Sequence, residues 1–181
     1  MGVSRSSSCE DWRMGEQREV LSWEDFGWAA RQLAAEVWDS GFRPEMIVSV
    51  ARGGLIPAGA VAYALDLKSM FVLNVEYYTG VGTTLSSPRL IDPVPEPHVL
   101  NGKRVLIVDD VTDSGRTLQF VQEFCSQHAA EVRSAALFQK PRSVIDCDYV
   151  WKETDRWIAF PWSSLPPVNE EPTPRQRKDN L

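Results

Sequence analysis

The thirteen residues from Val105 to Thr117, VLIVDDVTDSGRT, constrain this chain more than any other stretch. Four apolar residues, three of them β-branched, run straight into two carboxylates, then Thr112-Asp113-Ser114-Gly115, then a helix-like pattern from Thr117 to Phe124. That order reads as buried strand, acidic loop and helix. The run Val105 to Val108 shows no polar alternation, so the strand is expected to be covered on both faces, as in a parallel sheet with helices on either side. Asp109 and Asp110 then stand at the strand's carboxyl end, where open α/β sheets bind their ligands.

Thr112, Asp113, Ser114 and Gly115 add hydroxyls and a turn just ahead of a helix. Unpaired backbone N–H groups and the helix dipole favour a phosphate there. An acidic pair beside a phosphate cradle needs something positive or hydroxylated between them. A ribose diol with Mg²⁺ fits, because Mg²⁺ takes one or two carboxylates together with substrate phosphate oxygens. A single Asp at a strand end is often only a cap or turn former; the whole constellation is more specific than any one of its residues.

Composition limits what such a site can serve. The chain has 181 residues, enough for one domain with a substantial core, and its net charge of -6 offers no electrostatic footprint for nucleic acid or an anionic membrane. Any phosphate site must therefore be local. Cys9, Cys125 and Cys147 lack zinc-ligand spacing, which suits a reducing cytoplasm, and neither a secretion signal nor an apolar run long enough to span a membrane is evident. Residues 1–18 read as a disordered leader, 19–165 as the folded domain and 166–181 as a disordered, Pro-rich tail.

Within the domain, Ser22 reads as the N-cap of a helix with acidic first turn, its apolar residues from Phe26 to Trp38 keeping helical spacing until Gly41 and Pro44. Met46 to Val50 is a short buried strand that ends in Ala51-Arg52-Gly53-Gly54, ahead of a helix from Leu55 to Leu65. Two glycines permit backbone conformations that aim successive N–H groups at an anion, and Arg52 adds charge. A Gly-Gly turn alone is more often structural; beside the acidic motif the functional reading prevails. Ser69 to Val75 is another strand, followed over 79–102 by a Pro- and Gly-rich segment with little periodicity, read as a mobile functional loop. A strand from Val132 to Phe138 ends in Gln139-Lys140-Pro141, another is expected from Asp148 to Trp151, and TDRWIAFPW then brings three aromatics into six residues.

VLIVDDVTDSGRT resembles the 5-phosphoribosyl diphosphate (PRPP) signature of type I phosphoribosyltransferases. SVARGGLIP is similar to the pyrophosphate loop of the xanthine-guanine branch, FQKP to the segment that reads a purine's exocyclic oxygen, and TDRWIAFPW to the hood over the base. A phospho-receiver domain also has a strand ending in Val-Asp-Asp, but near its start, whereas here the pair lies past the midpoint and runs into TDSGRT. The resemblance implies a mainly parallel α/β sheet with helices on both faces and a small hood, 151–165, built with the other chain end. It implies Asp109 and Asp110 on the ribose hydroxyls, Asp110 on Mg²⁺, and the loop Asp113, Ser114, Gly115, Arg116 and Thr117 around the 5′-phosphate. Arg52, Gly53 and Gly54 would hold pyrophosphate, and Lys140, Trp157 and Ile158 the base. Asp113 would accept the base's proton as the catalytic residue, and Arg89 is a weaker candidate for pyrophosphate or the base site. The expected enzyme is a cytoplasmic homo-oligomer, a dimer or tetramer, that uses PRPP and a 6-oxopurine (xanthine, guanine or hypoxanthine), with no nucleic acid or membrane as partner. The alternatives are a PRPP- or nucleotide-sensing regulator on the same fold and a phosphoribosyltransferase for another base.

Overall fold

The computed structural model describes residues 18–77, 88–91 and 96–168, which form two compact units. The leader, apart from residue 18, and the tail beyond residue 168 lie outside the described residues, as do 78–87 and 92–95 of the expected loop. The larger unit spans Phe26–Asp155 and contains a six-stranded sheet. Its strands are β2 (Met46–Ala51), β3 (Met70–Tyr77), β4 (Pro88–Leu90), β5 (Arg104–Thr112), β6 (Glu131–Gln139) and β7 (Tyr149–Glu153), in spatial order β4-β3-β2-β5-β6-β7. Every pairing is parallel except that of β3 with β4. The segment 79–102, read as a loop, thus includes a strand and a 3₁₀ turn, Pro97–Leu100. Strand pairing to β3 decided that outcome, which local periodicity does not report.

Helices α1 (Trp23–Asp39), α2 (Leu55–Ala64) and α3 (Arg116–Ser126) accompany the sheet. Ser22 caps α1 as expected: its Oγ accepts the Asp25 N–H at 3.0 Å. Leu118, Val121 and Cys125 make the buried stripe of α3 and join Met46, Val48, Val50, Val105 and Ile107 in one core cluster. The intervening Ile47, Leu106 and Val108 are fully buried as well. Both faces of the central strands are therefore covered, which is why β2 and β5 read as continuous apolar runs instead of alternating ones.

The smaller unit is built from the two chain ends. In it β1 (Glu19–Val20) pairs in parallel with β8 (Ile158–Ala159), and Trp162 stacks on Phe160 with ring centroids 4.9 Å apart. No helix among the described residues is long and apolar enough to cross a membrane.

Candidate active site

The chain leaves β2 through α2 for β3 on one side of the sheet and leaves β5 through α3 for β6 on the other. The direction of winding switches between β2 and β5, and the crevice beyond the carboxyl ends of those strands is the place an open α/β sheet offers a ligand. The two strands pair only from Met46↔Val105 to Ser49↔Val108. Beyond that register β2 continues along β3 and β5 along β6, so their carboxyl ends part.

The acidic pair sits differently from its expected place. β5 does not stop at Val108 but runs on to Thr112, with Asp109 opposite Ala136 and Thr112 opposite Gln139 on β6. Asp109 and Asp110 belong to the strand, not to a loop after it, because the β6 ladder holds their backbone whatever their side chains prefer. Gly53 and Gly54 close on them. A Cβ at Gly53 would collide with the Asp110 carboxylate, and one at Gly54 would come within 2.6 Å of the Val50 and Val108 carbonyl oxygens and 3.0 Å of the Asp109 Cα. The Ala51–Arg52 peptide is cis. Arg52 is exposed.

Asp109 accepts the Asp110 backbone N–H through Oδ1 at 2.8 Å. Burial, and then the neighbouring Asp110 carboxylate, push the Asp109 carboxyl well above its ordinary range, and that hydrogen bond only partly opposes them. The pair thus favours a cation or a hydroxyl donor. Among the described residues no group of three or more His, Cys, Asp or Glu side chains could hold a metal alone. Two adjacent carboxylates suit an ion such as Mg²⁺ that completes its shell with substrate oxygens.

After β5, Asp113 and Ser114 are exposed, Gly115 is buried with φ of +77°, and α3 begins at Arg116. Only a glycine fits there easily: a Cβ would press on the Ser143 hydroxyl and lie 3.0 Å from Ile145 Cγ2. The segment after β6 brackets this loop. Lys140 N–H donates to Thr112 O at 2.9 Å and Val144 N–H to Ser114 O at 3.0 Å. Lys140 itself is only 6% exposed. Gln139 organises the far side: its Nε2 donates to Asp146 Oδ1 at 2.9 Å and its Oε1 accepts the Cys147 N–H at 2.8 Å.

The larger unit therefore brings Gly53 and Gly54 against Asp109 and Asp110, with the exposed Arg52 preceding them, and ties Lys140 to Thr112, the residue ahead of the Asp113–Thr117 loop, and Val144 to Ser114 within it. Arg89 pairs with Glu76 at 3.4 Å across β3 and β4. Trp157, 66% exposed, and the buried Ile158 belong to the smaller unit. One residue escaped the sequence reading altogether. Arg142 donates through Nε and Nη2 to Asp113 Oδ1, and no local pattern flags a partner 29 positions away.

Residues 16–165 match the family model described as the phosphoribosyl transferase domain. A xanthine-guanine phosphoribosyltransferase of Gluconobacter oxydans is 30% identical over 149 residues, covering 81% of this chain and 85% of its own length. One from Nitratidesulfovibrio vulgaris is 30% identical over 157 residues, covering 83% and 90%. Among solved structures, a purine phosphoribosyltransferase from Pyrococcus horikoshii superposes with a TM-score of 0.72 at 35% identity, covering 85% of this chain and 99% of that one. This chain belongs to the phosphoribosyltransferase family.

Proposed function

We propose that this enzyme transfers the 5-phosphoribosyl group of PRPP to a ring nitrogen of a 6-oxopurine and releases pyrophosphate, a salvage reaction. The observation that carries the reading is the close approach of the Gly53-Gly54 backbone to the Asp109–Asp110 pair at the switch point of the sheet. A pyrophosphate on the first junction and a ribose on the second would be neighbours, as they are in PRPP. Arg52, Gly53 and Gly54 would hold the pyrophosphate, Asp109 and Asp110 the ribose hydroxyls, and Asp113, Ser114, Gly115, Arg116 and Thr117 the 5′-phosphate. Asp110 would also hold Mg²⁺, which when bound neutralises charge on the departing pyrophosphate.

Transfer at C1 passes through an oxocarbenium-like state, as in glycoside cleavage. The chain's own work is then to keep the reactants in line and to stabilise the leaving group. Asp113 would accept the proton that the purine ring loses. Trp157 would stack on the base and the Ile158 backbone would meet its edge. Leu55 and Tyr63 on α2 and Met70 and Val72 on β3 are exposed apolar residues, which supports a homo-oligomer; the free thiols of Cys125 and Cys147 support a reducing, cytoplasmic setting.

The choice of base rests on Lys140. Its ammonium has donors only, so it satisfies a 6-oxo group and would oppose a 6-amino group with another donor. The names of the relatives agree with that choice. The test incubates the protein with PRPP, Mg²⁺ and adenine, guanine, xanthine or hypoxanthine, and follows the nucleoside monophosphate formed. Adenine should be slower than the best oxopurine by up to ~10⁴-fold, the size of discrimination an unpaired buried polar group gives. Equal turnover of adenine, or unimpaired oxopurine use by Lys140→Met, overturns the assignment.

A further inference from the structure

Both donors of Arg142 land on one oxygen of Asp113: Nε at 2.8 Å and Nη2 at 2.5 Å from Oδ1, while no described residue bonds Oδ2. The turn that bears Arg142 is pinned on either side of it, and to either side of Asp113. Lys140 N–H holds the Thr112 carbonyl and Val144 N–H the Ser114 carbonyl, so the two bonds bracket the Arg142–Asp113 contact in register. Within the turn, Ser143 N–H donates to Lys140 O at 3.0 Å and Ser143 Oγ to Ile145 O. Gly115, lacking a side chain, leaves the space that Ser143 and Ile145 occupy.

The side chains of Arg142 and Asp113 are 71% and 49% exposed. An ion pair so open to water contributes little to folding. Its ordered geometry is better explained by its effect on the carboxylate. A guanidinium that grips one oxygen fixes the torsion of the carboxyl group and turns the other oxygen outward.

We propose that Arg142 is a positioning residue for phosphoribosyl transfer, clamping Asp113 through Oδ1 so that Oδ2 faces the purine. This rests on the reading of Asp113 as the group that accepts the base's proton. As the lone pair of one ring nitrogen forms the bond to ribose C1, the C1–O bond breaks and its electron pair leaves with pyrophosphate. The proton of the other ring nitrogen passes to Oδ2, its bonding pair stays in the ring, and the nucleotide's base ends neutral. Arg142 gives up no proton, since a guanidinium stays charged throughout.

The test is a double-mutant cycle on the full chain with the best oxopurine, PRPP and Mg²⁺. Arg142→Met should lower kcat by ~10- to 100-fold, the cost of a small misplacement of a reacting group, with KM for either substrate within ~3-fold. Its melting temperature should stay close to that of wild type. Arg142→Lys, which reaches Oδ1 with one donor but cannot hold it with two, should fall between. The deciding arm is Arg142→Met with Asp113→Asn, which should be no slower than Asp113→Asn alone, because Arg142 acts only through that carboxylate. A wild-type kcat in Arg142→Met overturns the proposal. So does a raised KM for PRPP with kcat kept, or a loss in the double variant equal to the product of the single losses. An Asp113→Asn enzyme at wild-type rate removes the underlying reading instead, and is told apart because it appears without any change at Arg142. If Arg142→Met melts below the assay temperature, Arg142→Gln carries the same comparison.

Discussion

The two strand–loop–helix junctions at the crevice hold their shape by opposite means. The first, from β2 through Arg52-Gly53-Gly54 into α2, is shaped by what cannot be added: its glycines lie directly on β5, with no room for a Cβ. The second, from β5 through Asp113-Ser114-Gly115 into α3, is exposed at Asp113 and Ser114 and is fixed from outside by the turn after β6. A junction shaped by contact with a neighbouring strand is rigid on its own account. One shaped by a separate turn can be loosened without touching the sheet. The pyrophosphate end of the proposed site is thus built into the fold, while the phosphate and proton-accepting end is attached to it.

The largest effect expected from this contrast is at Gly54. The atoms a Cβ would meet there are backbone carbonyls, Val50 O and Val108 O, which cannot rotate away. Overpacking of this kind costs ~1–3 kcal/mol, and Gly54→Ala should sit at the upper end. A loss of that size lowers the melting temperature by roughly 6–12 °C for a chain of this length. Gly53→Ala separates fold from function, because the atoms nearest its Cβ all belong to the Asp110 side chain and not to the backbone. Calorimetry should show PRPP affinity weakened by ~10-fold or more, about 1.4 kcal/mol, with little change in melting. Equal thermal losses at the two glycines would end the distinction drawn between them.

At the second junction Gly115→Ala should cost less, ~1–2 kcal/mol, for a residue with a side chain held at φ of +77°. Ser143 Oγ can yield where a strand carbonyl cannot. Urea unfolding measures it, and a loss as large as that at Gly54 would show the outer turn to be as unyielding as the sheet.

Much of this was legible in the sequence, for identifiable reasons. The apolar runs of β2 and β5 have no alternation because both faces are buried, so the parallel sheet could be read directly. The glycine pair follows a strand directly and the carboxylates interrupt an apolar run, and local pattern reports both. What stayed hidden depends on partners distant in the chain. The extension of β5 through Asp109 and Asp110 is held by β6, the strand Pro88–Leu90 by β3, and the Asp113 carboxylate by Arg142. None of these contacts leaves a trace in the spacing of neighbouring residues.

The smallest effect expected is a difference in chemical reactivity, and it reports on the turn itself. Cys147 Sγ lies 3.0 Å from Thr112 Oγ1, behind the second junction, whereas Cys125 is buried in α3. Burial pushes the Cys147 thiol up to about 11 from an ordinary 9.0. It pushes Cys125 to about 12. Thiolate is the reactive form, so at pH 8 Cys147 should be alkylated ~100-fold more slowly than a free cysteine on ionisation alone. The same shift makes folding weaker as pH rises from 9.0 toward about 11, because the unfolded chain gives up this proton first. In a Cys9→Ser chain, iodoacetamide at pH 8 then compares two positions. Cys125 becomes reactive only when α3 leaves the sheet, whereas Cys147 reacts as soon as the turn after β6 lifts from the loop. A turn attached from outside should open more often than the core, so Cys147 should label faster than Cys125, and Arg142→Met should widen the gap. Equal rates in both chains would mean that the turn and the sheet open together, and the contrast between the two junctions would then be one of shape without a difference in mobility.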